Sequence, residues 1–133
     1  MKVIVDTCIW SLALRRRGYQ ESRETQELRE LIQSSRVQMI GPIRQELLSG
    51  LRAKKDFKRL RQYLTAFPDL PLTVADYEKA AEFFNIARAK GVQGSNTDFL
   101  ICSVSHIHEM PIFTVDQDFE QFAKLLPISL YRL

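Results

Sequence analysis

The sequence has few of the residues on which disulfide-bonded, zinc-binding or membrane proteins depend. Its 133 residues include two cysteines, Cys8 and Cys102, which argues against a disulfide scaffold and favours a reducing, cytoplasmic setting. The two histidines, His106 and His108, are two positions apart and do not share a helix face, which disfavours a zinc pair. No secretion signal is recognisable. No apolar run approaches the roughly 20 residues that span a bilayer, so no membrane association is expected.

What is present is an ordinary balance of apolar and charged residues. The chain is 45% hydrophobic and 26% charged, which predicts a single globular domain over residues 1–133. A net charge of +3 is compatible with a polyanionic partner without requiring one. The basic residues concentrate at Arg15–Arg17 and between Arg52 and Arg61. Each cluster is interpreted either as a solvated helix face or as a set of phosphate contacts.

Short β-branched runs alternate with helical patterns along the chain. Val3–Val5, Val37–Ile40 and Ile112–Val115 predict buried strands, and Leu72–Val74 and Ile128–Tyr131 predict two more brief ones. Helices are predicted between them, at Thr7–Leu14, Glu21–Ser34, Ile43–Gly50, from Arg52 onward, Asp76–Lys90, Ser95–His108 and Phe119–Leu126. This alternation predicts an α/β fold with a mainly parallel sheet.

Two acidic residues end apolar strands. Asp6 follows Val-Ile-Val, and Asp116 follows Ile-Phe-Thr-Val. Binding sites in open parallel sheets form outside the carboxyl ends of the strands, so these two carboxylates are expected to converge. Taken singly, each residue is equally well explained as a loop acid or a helix N-cap.

Two further acids lie on predicted helices that are otherwise apolar. Asp98 follows a glycine-containing loop, in the first turn of its helix, and is expected to be buried; the helix dipole alone would also favour an acid there. Glu46 shares a helix face with Ile43, Leu47 and Gly50, although a solvated glutamate at the helix edge is an alternative.

Four converging carboxylates would repel one another strongly. A pair about 4 Å apart costs roughly 4 kcal/mol at an effective dielectric of about 20. Total stabilities of about 5–15 kcal/mol leave little room for several such pairs. Because a hard divalent cation would offset the repulsion, the pattern indicates a site for Mg²⁺ or Mn²⁺. Such ions activate water and stabilise charge on a phosphodiester.

At this point the motifs resemble those of a known family. Val-Asp-Thr at 5–7, Glu46 after Gly-Pro, Asn-Thr-Asp at 96–98 and Phe-Thr-Val-Asp-Gln-Asp-Phe at 113–119 are similar, in order and distance, to the motifs of PIN-domain nucleases. The VapC-type toxins of bacterial toxin–antitoxin pairs are the group that they resemble most. Each motif alone is weak evidence, whereas their combination over most of the chain is fairly specific.

The resemblance implies a three-layer α/β/α domain with Mg²⁺- or Mn²⁺-dependent endoribonuclease activity. It also implies inhibition by a cognate antitoxin, commonly a homodimer, and a structured substrate such as a transfer RNA. The acidic positions of the family are matched by Asp6, Glu46, Asp98 and Asp116. Asp118 matches an auxiliary acid, and the polar positions that help to order the site are matched by Thr7, Asn96 and Thr114. The basic clusters could then contact RNA or the acidic residues of an antitoxin.

Three other functions compete with this interpretation. A phosphatase of the haloacid dehalogenase type needs a second Asp two residues after the first, where this chain has Cys8. A phospho-receiver domain needs paired acids near its start and a lysine after a late strand, and neither is evident. A non-catalytic module that binds protein or RNA without metal is the main rival, and in that case the acids would be dispersed caps.

Overall fold

Three short parallel strands form the centre of the molecule, and helices connect them. The computed structural model describes residues 1–14 and 22–133. In chain order, these residues form β1 (Val3–Val5), α1 (Thr7–Leu14), α2 (Arg23–Gln33), β2 (Val37–Gln38), α3 (Gly41–Leu48), α4 (Lys54–Leu64), α5 (Val74–Ala89), α6 (Asn96–His108), β3 (Ile112–Phe113) and α7 (Asp118–Leu125). The predicted basic cluster at Arg15–Arg17 lies outside the described residues, as does Glu21, the predicted start of a helix.

The sheet has the order β2-β1-β3, and all of its pairing is parallel. Val3 pairs with Val37 on one side of β1, and Val5 pairs with Phe113 on the other. The central position explains why Val3–Val5 is an unbroken apolar run, since all three residues are fully buried. Isolated parallel pairs, Met39 with Asp69 and Ile112 with Leu130, extend the two edges of the sheet.

The connections place helices on both faces of this sheet. Passing from β1 to β2 and then from β2 to β3 reverses direction across the sheet, so right-handed crossovers put the two sets of helices on opposite faces. Accordingly α1 packs against α2, while α5 packs against α6 and α7. The predicted α/β/α architecture with a mainly parallel sheet is confirmed. None of the helices in the described ranges is long and apolar enough to cross a membrane.

The brief strands predicted toward the end of the chain are where the structure differs. The prediction of a strand at Leu72–Val74 is wrong because Thr73 caps α5, its backbone N–H donating to Asp76 Oδ2 at 2.8 Å. Ile128–Tyr131 contributes a single pair, at Leu130, and no strand. Both segments run along the rim of a small sheet, where side-chain caps and isolated pairs compete with a full ladder.

The packing of α5 on α6 holds the helix that carries Asp98. Helical periodicity predicts that Tyr77 faces inward, but it is exposed, and Asp76 is fully buried instead. Its burial is possible because its polar atoms have partners: His108 Nε2 lies 3.1 Å from Asp76 Oδ1, and Ser103 Oγ donates to the Asp76 carbonyl at 2.6 Å. These contacts fix α6 against α5 at two points along its length.

Arg44 of α3 fastens the carboxyl end of α4. Its guanidinium donates to the Leu64 carbonyl at 3.0 Å and to the carbonyl of Phe67, and it pairs with Asp69 at 2.9 Å. These carbonyls lie at and just beyond the end of α4, where backbone acceptors lack partners within the helix. Leu64 is the buried residue of α4 and Leu60 packs against the core, while the other residues of the helix are exposed.

Candidate active site

The carboxyl ends of β1 and β3 lie side by side and carry two of the predicted acids. Asp6 follows β1 directly and is 7% exposed, whereas Asp116 lies three residues beyond β3 and is half-buried. The Asp6 backbone N–H donates to the Phe113 carbonyl at 2.9 Å, which joins the two strand ends. The convergence expected from the parallel sheet therefore occurs.

Thr114 connects these two strand ends through its hydroxyl group. Thr114 Oγ1 donates to Asp6 Oδ2 at 2.8 Å and accepts the Asp116 backbone N–H at 3.0 Å. Cys8 Sγ lies 3.5 Å from the same Asp6 oxygen and 3.4 Å from Thr114 Oγ1. The orientation of the Asp6 carboxylate is therefore set by two side chains, one from each strand end.

The backbone of Asp118, rather than its side chain, contacts Asp116. Its N–H donates to Asp116 Oδ1 at 2.9 Å, while its own side chain is exposed at the start of α7. The first turn of α7 therefore stabilises the negative charge of Asp116 with an unpaired N–H group at the helix N-terminus. This geometry gives Asp118 a supporting position beside Asp116.

Asp98 lies in the first turn of α6 and is half-buried rather than fully buried as we predicted. It forms a capping box with Ser95: the Ser95 N–H donates to Asp98 Oδ2 and the Asp98 N–H donates to Ser95 Oγ, both at 3.0 Å. The preceding Gly94 lies tightly against Phe99 and Phe122, since a Cβ added at Gly94 would come within 2.7 Å of Phe122 Cζ. Glycine thus allows the loop to approach closely enough to start α6 here.

Thr7 brings Glu46 of α3 to the same edge. The Thr7 N–H donates to Asp6 Oδ1 at 2.8 Å, and Thr7 Oγ1 donates to Glu46 Oε1 at 2.7 Å. Glu46 is exposed, so the solvated alternative is correct for its burial, but its side chain is held by a specific partner. Asp6, Thr7 and Glu46 therefore form a continuous hydrogen-bonded chain from β1 to α3.

Burial is the main influence on the Asp6 carboxyl. It raises the pKa of Asp6 above the usual value, while hydrogen bonds from Thr114, Thr7 and Cys8 act in the opposite direction. The negative charge of Asp98 raises the pKa of Asp6 further. The two carboxylates are therefore close enough to interact.

The pKa of Asp98 is raised in the same way. Burial is again the largest cause, the hydrogen bonds with Ser95 oppose it, and the negative charges of Asp116 and Glu46 raise the pKa further. Asp98 thus interacts electrostatically with each of the other three acids. Asp98 is therefore the acid on which the repulsion among the predicted carboxylates is centred.

The donor set suits a hard cation, although the carboxylates do not enclose one. Within residues 1–14 and 22–133, no three His, Cys, Asp or Glu side chains converge closely enough to hold a metal ion. Within the same residues, one oxygen each of Glu46, Asp98 and Asp116 accepts no hydrogen bond from the protein. Mg²⁺ retains several water ligands and commonly uses only one or two carboxylates directly, so these oxygens fit such an ion.

Asn96 and the two cysteines differ in how they relate to the predicted acids. Asn96 is exposed at the start of α6 and lines a pocket of about 530 Å³ with Gln45, beside the acids rather than bonded to them. Cys102 is fully buried, whereas Cys8 contacts Asp6, which was not predicted from the sequence. Its position two residues after Asp6, in the first turn of a helix, was the available signal.

The model of the PIN domain family matches residues 3–125, so the chain belongs to that family. Among curated proteins it is similar to the VapC ribonuclease Mb1587 of Mycobacterium bovis and to ribonuclease VapC11 of Mycobacterium tuberculosis. Each is 29% identical over 127 residues, which cover 92% of this chain and 92% of the relative.

Solved structures show the same fold. FitAcB from Neisseria gonorrhoeae matches with a TM-score of 0.77 and 20% identity, covering 98% of this chain and 96% of that chain. VapBC2 from Rickettsia felis, bound to a DNA fragment from its promoter, matches with a TM-score of 0.78 and 17% identity, covering 100% and 99%. Both likenesses extend over essentially the whole length of this chain.

We expect Asp98→Asn to raise the stability of the protein at pH 7. Asparagine keeps an oxygen for the Ser95 N–H but removes a charge that burial and two neighbouring carboxylates disfavour. Because the folded-state pKa of Asp98 is raised, the stability that its protonation provides is present at low pH and is lost as the pH rises through that pKa. Melting temperatures at low salt should therefore be a few degrees higher for the variant at pH 7, with the difference shrinking toward pH 4.

Glu78→Gln serves as the control for that comparison. Glu78 is an exposed acid of α5, so removing its charge should leave the melting temperature almost unchanged at both pH values. A variant at Asp98 that is no more stable than the parent protein at pH 7, or one whose advantage grows on acidification, would contradict the electrostatic account.

Proposed function

We propose that this protein is a divalent-metal-dependent endoribonuclease and the toxin of a toxin–antitoxin pair. The observation that carries the proposal is the hydrogen-bonded network at the carboxyl edge of the sheet, in which Thr7 joins Asp6 to Glu46 and Thr114 joins Asp6 to Asp116. Asp98 is close enough to raise the pKa of Asp6. Curated relatives named VapC ribonuclease support ribonuclease activity, and their alignment covers most of both chains. A transfer RNA is one candidate substrate.

Asp6, Asp98 and Asp116 are assigned as ligands of Mg²⁺ or Mn²⁺, directly or through water. When bound, the ion would supply Lewis-acid stabilisation of the phosphodiester and acidify a water molecule. Thr114 orients Asp6, and the N–H of Asp118 orients Asp116, so the carboxylates are held before substrate binds. Cys8 adds a weak contact to the same oxygen of Asp6.

Glu46 is assigned either as a further ligand or as the group that orients the attacking water. The Thr7 hydroxyl holds Glu46 Oε1, which leaves Oε2 available to accept a hydrogen bond or a proton from that water. Thr7 thereby has two functions, because its backbone N–H also holds Asp6. Asn96, at the start of α6, is assigned to the border of the site.

The antitoxin is proposed to occupy the groove between α1, α3 and α4. This groove has a volume of about 870 Å³ and apolar walls that include Leu14, Leu47, Leu51 and Leu60. Structural neighbours are toxin–antitoxin assemblies such as VapBC2, which supports a protein partner. A cytoplasmic location and a homodimer remain predictions from the family resemblance.

Replacing a proposed ligand should abolish cleavage without unfolding the protein. Asp6→Asn and Asp98→Asn are each expected to slow RNA cleavage with Mg²⁺ or Mn²⁺ by more than about 100-fold, because residues that only orient a ligand already contribute roughly 10- to 100-fold in metal sites. The measurement is the rate of cleavage of a labelled RNA, with circular dichroism to check folding. Glu78→Gln should cleave at the parental rate. Undiminished cleavage by the folded Asp variants would refute the assigned site.

Divalent metal should stabilise the folded protein through the same residues. We expect Mn²⁺ to raise the melting temperature, since an ion that binds only the folded state adds about 2.7 kcal/mol at one hundred times its dissociation constant. The increase should be lost in the Asp98→Asn/Asp116→Asn double variant and kept in Glu78→Gln. A parent protein that neither melts later with Mn²⁺ nor binds the ion in calorimetry would favour the metal-independent binding module.

The proposed binding of the antitoxin in the groove can be tested separately. If a small reading frame adjoins the gene, its product should co-purify with this chain and stop cleavage. Leu51→Glu should weaken that complex by more than about tenfold, because it buries an unpaired charge in an apolar wall. Val74→Glu is the matched control, since Val74 is 72% exposed and lies outside the groove. Equal dissociation constants for both variants and the parent would show that the partner binds elsewhere.

A further inference from the structure

The outward face of α4 carries a dense group of cations. Within Lys54–Leu64 there are five basic residues and a single acid, Asp56. At about 100° per residue, the basic side chains occupy an arc of roughly 160° that faces away from Leu60 and Leu64. We call this surface the basic α4 face and define it by Lys54, Lys55, Lys58, Arg59 and Arg61. All five residues are exposed.

The basic α4 face is not neutralised by the part of the protein that the structure describes. The ion pairs formed between described residues lie elsewhere, at Arg44, Lys79, His108 and Arg132. Arg61 instead lies over the ring of Phe57, with its guanidinium carbon 5.9 Å from the ring centroid. The cations of this face are therefore available to a negatively charged ligand.

The same charges work against the helix that carries them. Lys54 and Lys58, and likewise Lys55 and Arg59, are like charges four residues apart. Two lysines also lie in the first turn, where the helix dipole disfavours cations, and Ala53 supplies no side-chain cap. The carboxyl end of α4 is held by Arg44 instead. Asp56 in the first turn and Arg61 in the last turn are favourably placed, so the unfavourable part of the pattern is the repulsion among the lysines and Arg59. This repulsion favours a role in binding a negatively charged ligand.

The groove beside α4 extends from the basic α4 face toward the elements that carry Glu46 and Thr7. The groove beside α4 begins at Leu47, next to Glu46, and at Ser11, one helical turn beyond Thr7. A partner inside this groove contacts the side of α4 that carries Asp56, Arg59, Leu60 and Tyr63, which leaves Lys55 and Lys58 facing solvent. Arg59 therefore lies at the border of the groove, and the other four cations of the basic α4 face lie outside it.

We propose that the basic α4 face binds the phosphate backbone of single-stranded RNA next to the cleavage site; this inference rests on the proposed ribonuclease function. Lysine and arginine side chains spread along one helix face suit a ligand with regularly repeated negative charge. Phe57, which is 37% exposed and lies beside Arg61, supplies aromatic surface on which an unpaired base stacks. The face contributes binding affinity and strand path rather than chemistry.

The test compares two double variants that each lower the net charge from +3 by two. Lys55→Gln/Lys58→Gln alters the basic α4 face. Lys2→Gln/Lys124→Gln is the matched control, since both residues are exposed and lie outside α4. Fluorescence anisotropy measures the dissociation constant of a labelled single-stranded RNA with EDTA present, at several salt concentrations between about 50 and 200 mM.

The α4 variant should bind at least about tenfold more weakly at the lowest salt, and the slope of log K against log salt should fall in magnitude by about 1.4, or 0.7 per lost contact. The control should keep the parental slope. The melting temperature of the α4 variant should be unchanged or higher, because like-charge repulsion is removed. Equal losses in both variants, an unchanged slope in the α4 variant or a lower melting temperature would overturn the proposal.

Two further readouts separate this proposal from its alternatives. If the α4 variant binds RNA normally but loses a co-purifying protein, the face belongs to a protein partner and the RNA assignment is wrong. Cleavage by the parent protein with Mn²⁺ is measured in parallel. If the parent protein cleaves RNA but the α4 variant binds RNA normally, the RNA-binding role of the basic α4 face is refuted and the ribonuclease function is not. If the parent protein never cleaves RNA but the α4 variant loses RNA binding as expected, the ribonuclease function is refuted. The RNA-binding role of the basic α4 face is then still supported.

Discussion

The parallel pairing of β1 with β3 is the constraint on which the candidate site depends. It aligns the carboxyl end of each strand at one edge, so that the Asp6 N–H reaches the Phe113 carbonyl at 2.9 Å. Thr114 can then bond Asp6 and the Asp116 backbone together. Without this register, α1 and α7 would start at unrelated places. At the start of each helix a backbone N–H donates to a carboxylate, from Thr7 to Asp6 and from Asp118 to Asp116.

Holding several carboxylates at one edge costs stability, and the surrounding hydrogen bonds offset only part of that cost. Burial and mutual repulsion raise the pKa of both Asp6 and Asp98 despite donors from Thr114, Thr7 and Ser95. A second cluster of like charges, positive rather than negative, lies on α4. The acidic edge suits a hard cation and the basic face suits a polyanion, so the two unfavourable charge clusters are consistent with a metal-dependent enzyme that acts on RNA.

Several features were predictable from local patterns. The β-branched run at Val3–Val5 indicated a buried central strand, and the Gly91 that ends α5 has the positive φ of +75° expected for a helix C-terminal glycine. Other features were not predictable. Helical periodicity placed Tyr77 inside, whereas Asp76 is the buried residue, because its partner His108 is 32 positions away. Thr73 was likewise predicted to lie in a strand, because threonine is favoured both at helix N-caps and in β-strands.

The sequence by itself determined which layers build the fold and predicted which carboxylates form the candidate site, because alternating periodicity and strand-ending acids are local properties of the chain. Tertiary structure alone decided how those acids are held. The Thr7 to Glu46 hydrogen bond spans 39 positions and the Thr114 to Asp6 bond spans 108, so neither could be inferred from spacing. It also decided that Glu46 is exposed while Asp6 is buried, since burial depends on which elements pack above each carboxylate. The four carboxylates could thus be proposed together from the sequence, whereas their separate environments could not.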